Sequence, residues 1–279
     1  MILENTLTEL GWMIEDLTWS LFQRDRVQKQ AKPHPLFTIG ISTFMDRFDN
    51  CLKPLVSKLA VMFPAAQIIV IANGHVKQKE QAVYLQEIGR FCGQFANVEL
   101  VTYTESKGLS TLWNQIVLCS RHQKILMLND DIRVKASFCE MISNSGILGE
   151  EIATINGSWS NYIISRTLHE KVGPFDEGLL EIGGEDDDYL ARLSLCGLLL
   201  SDYSADSIAG KLKLRHKRLT VNSYGKNMDE ETNGYSCYNN RYLADKWQMS
   251  TEPFDGATVV PNKAMKYWKL KEPARKGAQ

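Results

Sequence analysis

From Leu36 onward the chain alternates short, unbroken apolar runs with longer amphipathic stretches, and few architectures accept that pattern. Phe37-Thr38-Ile39-Gly40-Ile41-Ser42 reads as a first strand, followed by a helix through Leu52, Leu55, Val56 and Leu59. Gln67-Ile68-Ile69-Val70-Ile71 reads as a second strand ending at the turn Asn73-Gly74. A helix over residues 78–92, a strand at Val98–Val101, a helix from Leu109 to Cys119 and a strand at Lys124–Leu128 continue the series. Strands that are apolar throughout must be covered on both faces. The spacing therefore predicts an α/β fold with a mostly parallel, Rossmann-like sheet between helices. Ligands of such sheets bind beyond the carboxyl ends of the strands, so functional residues are to be sought there.

Composition narrows the function. Hydrophobic residues make up 44% and charged residues 23%, which is enough for a packed core. A formal net charge of −1 argues against bulk capture of nucleic acid. The cysteines Cys51, Cys92, Cys119, Cys139, Cys196 and Cys237 are scattered without metal-site spacing. They read as free thiols of a reducing compartment, with a disulfide or a reactive thiol as the alternatives. No basic-then-apolar leader opens the chain, and no apolar run reaches the roughly 18 residues of a membrane span, so a cytoplasmic location is expected.

The ends stand apart from the central region. Leu3, Leu7, Leu10, Ile14, Leu17 and Leu21 form one apolar seam, predicting an amphipathic helix within residues 1–35 that ends before Pro33-His34-Pro35. The seam either packs on the main domain, residues 36–250, or pairs with a second copy in a homodimer. In the tail, residues 251–279, the stretch Lys263–Lys276 carries six basic residues and one acid around Tyr267 and Trp268. It is either a solvated tail or a peripheral contact with the inner face of a membrane, which would suit a lipid-linked acceptor.

Two acidic constellations carry the chemistry. The strand at Lys124–Leu128 runs into Asn129-Asp130-Asp131. Adjacent carboxylates beside a desolvating sheet repel each other. An oxygen-seeking Mg²⁺ or Mn²⁺ relieves that repulsion and would bridge a diphosphate; an Asx turn capping the next helix is the alternative. No GxxxxGK[ST] or strand-linked GxGxxG is present, so the phosphates of a nucleotide would depend on a metal and scattered cations. Further on, Gly183-Gly184 precedes Glu185-Asp186-Asp187-Asp188, and Tyr189–Leu193 reads as helix. The run either caps the start of that helix, for which one or two acids suffice, or serves proton, hydroxyl or metal chemistry, to which four in a row point. Trp159, in Gly157-Ser158-Trp159-Ser160-Asn161-Tyr162, is either a platform for an acceptor sugar or a core residue.

In this order, these segments resemble the GT-A glycosyltransferases, above all the inverting family-two group. Asp130-Asp131 is similar to that family's DxD-type metal motif, and Val172-Gly173-Pro174-Phe175-Asp176-Glu177 to its Val-Gly-Gly-Phe-Asp-Glu segment. Gly183–Asp188 resembles the Gly-Gly-Glu-Asp-Asp-Asp acceptor motif of β-1,4-galactosyltransferases, and Asn240-Arg241-Tyr242 with Lys246-Trp247 a family-two ending. The resemblance spans residues 36–248.

The resemblance implies a transferase that moves a sugar from a nucleotide-diphosphate donor, a UDP-sugar by preference, to a saccharide or lipid-linked saccharide hydroxyl. By position, Asp131 becomes the principal ligand of Mn²⁺ or Mg²⁺, His216 completes the metal site, and Asp130 serves the metal or the donor ribose. Asp186 becomes the general base, with Glu185 and Asp187 orienting the acceptor. Thr43, Phe44 and Asn73 fall where the family holds the nucleobase, and Lys107 and Asn114 in its donor-binding segment. Three departures stand out. Asn73 replaces the Asp that pairs with uracil, Phe44 replaces a tyrosine, and Asn129 replaces the first acid of a strict DxD. The rival expectation is an inactive nucleotide-sugar or glycan-binding module on the same fold.

Overall fold

The computed structural model describes residues 36–75, 78–210 and 228–247, together with Ile14, Thr18 and Trp19. The tail after Trp247, His216 and most of the N-terminal seam lie outside the described residues. Trp19 is buried in the same apolar cluster as Leu55, Val56 and Leu59, with the Lys58 ammonium 5.8 Å from its ring centre.

Seven strands form one sheet: β1 (Thr38–Thr43), β2 (Gln67–Ala72), β3 (Val98–Thr102), β4 (Lys124–Asn129), β6 (Ile152–Ile155), β7 (Ser158–Ser165) and β8 (Ser201–Tyr203). Their spatial order is β3-β2-β1-β4-β7-β6-β8. The pairs from β3 to β4 are parallel, β7 runs antiparallel to both neighbours, and β6 pairs in parallel with β8. Two short strands, β5 (Ile132–Val134) and β9 (Ile208–Gly210), make a separate antiparallel ribbon.

Helices cover both faces, as the unbroken apolar strands require. Ile39, Ile41, Ile68, Val70, Leu126 and Leu128 pack on one side with α1 (Lys53–Met62) and α2 (Gln78–Cys92). Ile69, Ile71, Ile125, Met127 and Ile164 pack on the other with α3 (Leu109–Cys119), α5 (Arg166–Val172) and α6 (Glu185–Leu195). A short α4 (Phe138–Asn144) buries Phe138 and Ile142 in the first cluster, and α7 (Met228–Trp247) places Leu243 and Trp247 against Leu179 and Ala191. Cys51, Cys92 and Cys139 are buried and form no disulfide among the described residues. No described helix is long and apolar enough to cross a membrane.

The structure departs from the expected elements in three places. Between β1 and α1 the chain forms a tight turn at Met45–Arg47 and a wide one at Phe48–Leu52; the regular helix starts only at Lys53, with Pro54 in its first turn. The acidic run is itself the first turn of α6, which begins at Glu185 and not at Tyr189. The β6–β7 hairpin, closed by Asn156 and Gly157 at φ 56° and 62°, was not anticipated.

Packing between β1 and α3 is close. A Cβ added at Gly40 would lie 2.2 Å from Ile116 Cγ2. Gly40→Ala is therefore expected to lower the unfolding free energy by about 1–3 kcal/mol, as overpacked cores do, measured by urea titration. An unchanged midpoint would show that α3 shifts freely against the sheet.

Candidate active site

The site starts from strand register. Ser42 of β1 lies opposite Asn129 of β4, so the residues that follow, Thr43 and Asp130, meet at the strand ends. The Thr43 hydroxyl donates to Asp130 Oδ2 at 2.6 Å, and Arg47 Nη1 donates to Asp130 Oδ1 at 2.8 Å. The same Arg47 nitrogen lies 3.3 Å from Asp131 Oδ2, and its guanidinium sits 4.8 Å from the Phe44 ring centre. Burial pushes the Asp130 carboxyl above its usual range, while the Arg47 cation pulls it down. Both Asp130 oxygens are thus engaged within the protein. Arg47 was not singled out from the sequence. The one signal for it is positional: it is the first cation after β1, and β1 ends beside the strand that ends in two acids.

A cleft of about 470 Å³ opens at these strand ends. Thr43, Phe44, Asn73, Lys107, Asp130 and Asp131 all line it, so the residues expected on the donor side share one cavity. The opposite wall is Ser158, Ser160 and Asn161 of β7, with Glu181 and Ile182. Asn73 also braces the rim. Its Oδ1 accepts from the Gly74 and Lys107 amides at 2.9 Å each, and its Nδ2 donates to the Lys107 carbonyl at 2.9 Å. Asn114 is committed elsewhere: its side chain bonds the Phe175 amide and carbonyl, each at 2.9 Å, and Glu177 at 2.8 Å.

The second constellation divides its four acids by environment. Gly183 and Gly184 turn at φ 126° and 91°, a backbone that side chains resist, and a Cβ on Gly184 would come within 2.8 Å of Leu243. Glu185, buried, folds back so that both its oxygens accept from the Gly183 amide at 2.9 Å. Desolvation pushes its carboxyl up to about 7. Asp186 is also raised by desolvation, and Asp187 is pushed up to about 6 by desolvation and by Asp186. Asp188 is fully buried and structural: it accepts from Arg192 Nε at 2.9 Å and Trp247 Nε1 at 3.0 Å, and pairs with Lys246 at 2.6 Å.

Helix α7 ties this segment down. Asp176 accepts from the Tyr242 hydroxyl at 2.9 Å and from the Lys246 ammonium. Asn239 bonds the Leu180 amide and carbonyl, each at 2.9 Å, and the Gly183 carbonyl at 2.8 Å. These bonds fix the loop that carries Glu181 and Ile182 to the cleft. Trp159 is 9% exposed and packs on Tyr162 and Tyr189, with ring centres at 4.9 and 6.2 Å. It is a core residue here and does not line the cleft. The hydroxyls of Tyr162 and Tyr189 are buried without hydrogen-bond partners among the described residues. Burial, and after it Tyr189 and the carboxylates of Asp186 and Glu185, raise the Tyr162 hydroxyl well above its usual range.

Asp130 and Asp131 offer hard oxygen ligands of the kind Mg²⁺ and Mn²⁺ prefer, and the cationic Arg47 beside them marks a place where positive charge is stabilised. No group of three His, Cys, Asp or Glu that could hold a metal occurs among the described residues. The carboxylates therefore fit as part of a metal site, completed by diphosphate oxygens, water or residues outside those described.

No protein-family model matches the chain, and no curated protein matches it. Among solved structures it is similar to GalNAc-T7 crystallised with UDP, GalNAc and Mn²⁺: TM-score 0.55 and 10% identity over 77% of this chain and 48% of that one. It is also similar to Staphylococcus aureus TarS residues 1–349, with TM-score 0.48 and 12% identity over 68% of this chain and 66% of that one. Against a second TarS structure the TM-score is 0.49 and the identity 12%, over 76% of this chain and 42% of that one. The chain thus spans less than two thirds of the length of each. What the likeness to GalNAc-T7 shows is the fold, which is GT-A: a mostly parallel sheet between helices.

Two outcomes follow for the acidic run. Asp188→Ala strips a buried charge from Arg192, Lys246 and Trp247 and is expected to destabilise the protein by about 3–5 kcal/mol, whereas Asp187→Ala changes stability by less than about 1 kcal/mol. Equal losses in thermal unfolding would contradict this division. For Glu185, the folded pKa lies above the unfolded value of about 4.3, so between that value and about 7 the folded state holds a proton the unfolded state has released. Stability from this group therefore falls as pH rises through that window. Glu185→Gln should gain stability relative to the parent as pH climbs from about 5 to 8; a pH-independent difference would argue against a buried, protonated Glu185.

Proposed function

We propose that the chain is a glycosyltransferase that moves a sugar from a nucleotide-diphosphate sugar to a hydroxyl of a saccharide or lipid-linked saccharide, with inversion at the anomeric carbon. The observation that carries this reading is the cleft itself. An aromatic ring, an amide, a lysine and a paired-carboxylate floor with its own arginine converge there at the switch point of a GT-A sheet, where β1 and β4 part. A protein of the same fold, GalNAc-T7, holds UDP, GalNAc and Mn²⁺.

In this reading the Phe44 ring stacks on the nucleobase and the rim at Asn73 and Lys107 meets its edge and the phosphates. Asp131, with Asp130 behind it, holds Mn²⁺ or Mg²⁺, and His216 is a further ligand. When bound, the metal neutralises charge growing on the departing nucleoside diphosphate. Asp186 removes the proton from the acceptor hydroxyl as that oxygen attacks the anomeric carbon and the bond to the diphosphate breaks. Its raised pKa makes it a stronger base than a solvated aspartate, and Glu185 and Asp187 orient the acceptor's other hydroxyls. These roles are the ones the family resemblance assigns to the matching positions; Glu185, Asp186 and Asp187 are not among the residues that line the cleft.

The test is release of nucleoside diphosphate from a panel of nucleotide sugars with and without Mn²⁺. One donor is expected to give metal-dependent release, reduced by about 10²–10⁴-fold in Asp186→Asn, and lost in Asp131→Ala. If no donor is turned over and none raises the melting temperature, the transferase reading falls.

A further inference from the structure

The acid pair at the end of β4 already has a cation. Arg47 reaches Asp130 at 2.8 Å and Asp131 at 3.3 Å, its side chain 11% exposed, in a cleft where a divalent ion and a diphosphate would also sit. The hold is of a displaceable kind. Both ion pairs run through the single nitrogen Nη1, in place of the two-pronged fork that makes arginine–carboxylate pairs strong. Arg47 Nε is buried with no hydrogen-bond partner among the described residues, so within them the guanidinium keeps an unspent donor. Its plane is steadied by the Phe44 ring at 4.8 Å, on the strand end next to the nucleobase position proposed above. Two carboxylates half-neutralised by an internal guanidinium attract a dication less than two bare ones do, because part of the field the dication would feel is already cancelled.

We propose that Arg47 is a resident counter-ion that competes with the divalent metal for Asp130 and Asp131 and turns to the diphosphate when the metal enters, so that metal and nucleotide bind together and each binds weakly alone. This inference rests on the metal-assisted reading of the cleft. A diphosphate supplies the anionic oxygens that Arg47 loses on leaving Asp131, and phosphate is a ligand for which guanidinium is well matched. The thermodynamic consequence is reciprocal: nucleotide raises metal affinity by the factor by which metal raises nucleotide affinity.

The experiment measures Mn²⁺ binding to the full chain by the loss of the free ion's electron paramagnetic resonance signal, first with Mn²⁺ alone and then with UDP or GDP. The parent is compared with Arg47→Gln, which removes the charge, and Arg47→Lys, which keeps it; circular dichroism confirms that each is folded. Without nucleotide, Arg47→Gln is expected to bind Mn²⁺ roughly tenfold more tightly than the parent, a factor usual for coupled sites. Arg47→Lys should stay near the parent, and the nucleotide-induced gain in Mn²⁺ affinity should shrink in Arg47→Gln. Asp131→Ala should abolish Mn²⁺ binding in every background. If Arg47→Gln binds Mn²⁺ no more tightly than the parent, or if neither binds it, the counter-ion role is wrong. A tighter Arg47→Gln that shows no response to UDP or GDP would uphold the competition for metal but sink the transfer to the diphosphate. Loss of the donor reading is a separate result, seen as absence of UDP, GDP or any nucleotide sugar binding in parent and variants alike.

Discussion

Burial of the sheet on both faces governs what this protein can do. The apolar residues of β1, β2 and β4 are divided between the two buried clusters, so only strand-end side chains such as Ser42, Thr43 and Asn129 reach the cleft. Polar chemistry is pushed to the strand ends, and the order β3-β2-β1-β4 opens a gap where the chain leaves β1 and β4 in opposite directions. The cleft is the product of that topology. Thr43 and Asp130 meet there because register brings them together, and Arg47 follows because the chain after β1 turns tightly back over the acid pair.

The acidic helix obeys a different economy. Four like charges in one turn of α6 lie in a helix start that favours anions, yet each is handled separately. Asp188 is neutralised by two cations and an indole, Glu185 is enclosed against the Gly183 amide, and Asp186 and Asp187 are left partly exposed with raised pKa values. The buried pair, Glu185 and Asp188, flanks the partly exposed pair, Asp186 and Asp187. Helix periodicity does this: residues three apart share a face, so the first and fourth acids turn inward while the middle two face out.

Much of the core was legible in the sequence because it depends on periodicity. α3 spans the residues expected, and β2 and β4 lie within a residue of theirs. What periodicity missed was β7. Its stretch Ser158-Trp159-Ser160-Asn161 mixes polar and aromatic residues because one end borders the cleft, and Trp159 in that setting looks like a sugar platform. Its burial on Tyr162 and Tyr189 follows from tertiary packing that no local pattern carries. The Asn156-Gly157 pair was the available hairpin signal. At the site, residue types pointed to residues that share the cleft, but not to how their bonds are spent. That Asn73 braces the Lys107 backbone and Asn114 that of Phe175 depends on loops meeting across more than thirty positions. Arg47 was invisible for the same reason, being meaningful only once β1 and β4 are neighbours.

Helix α7 also sets an order of events. Lys246 follows its partner Asp176 by 70 positions, and Trp247 follows Asp188 by 59. In sequence order the described strands and the acidic helix all precede both partners. Before α7 is made Asp188 has only Arg192 among the side chains that later bury it, and the Gly183-Gly184 turn lacks the Asn239 brace. Among the described elements α7 is made after all the others, and it acts as the latch that braces the proposed catalytic segment.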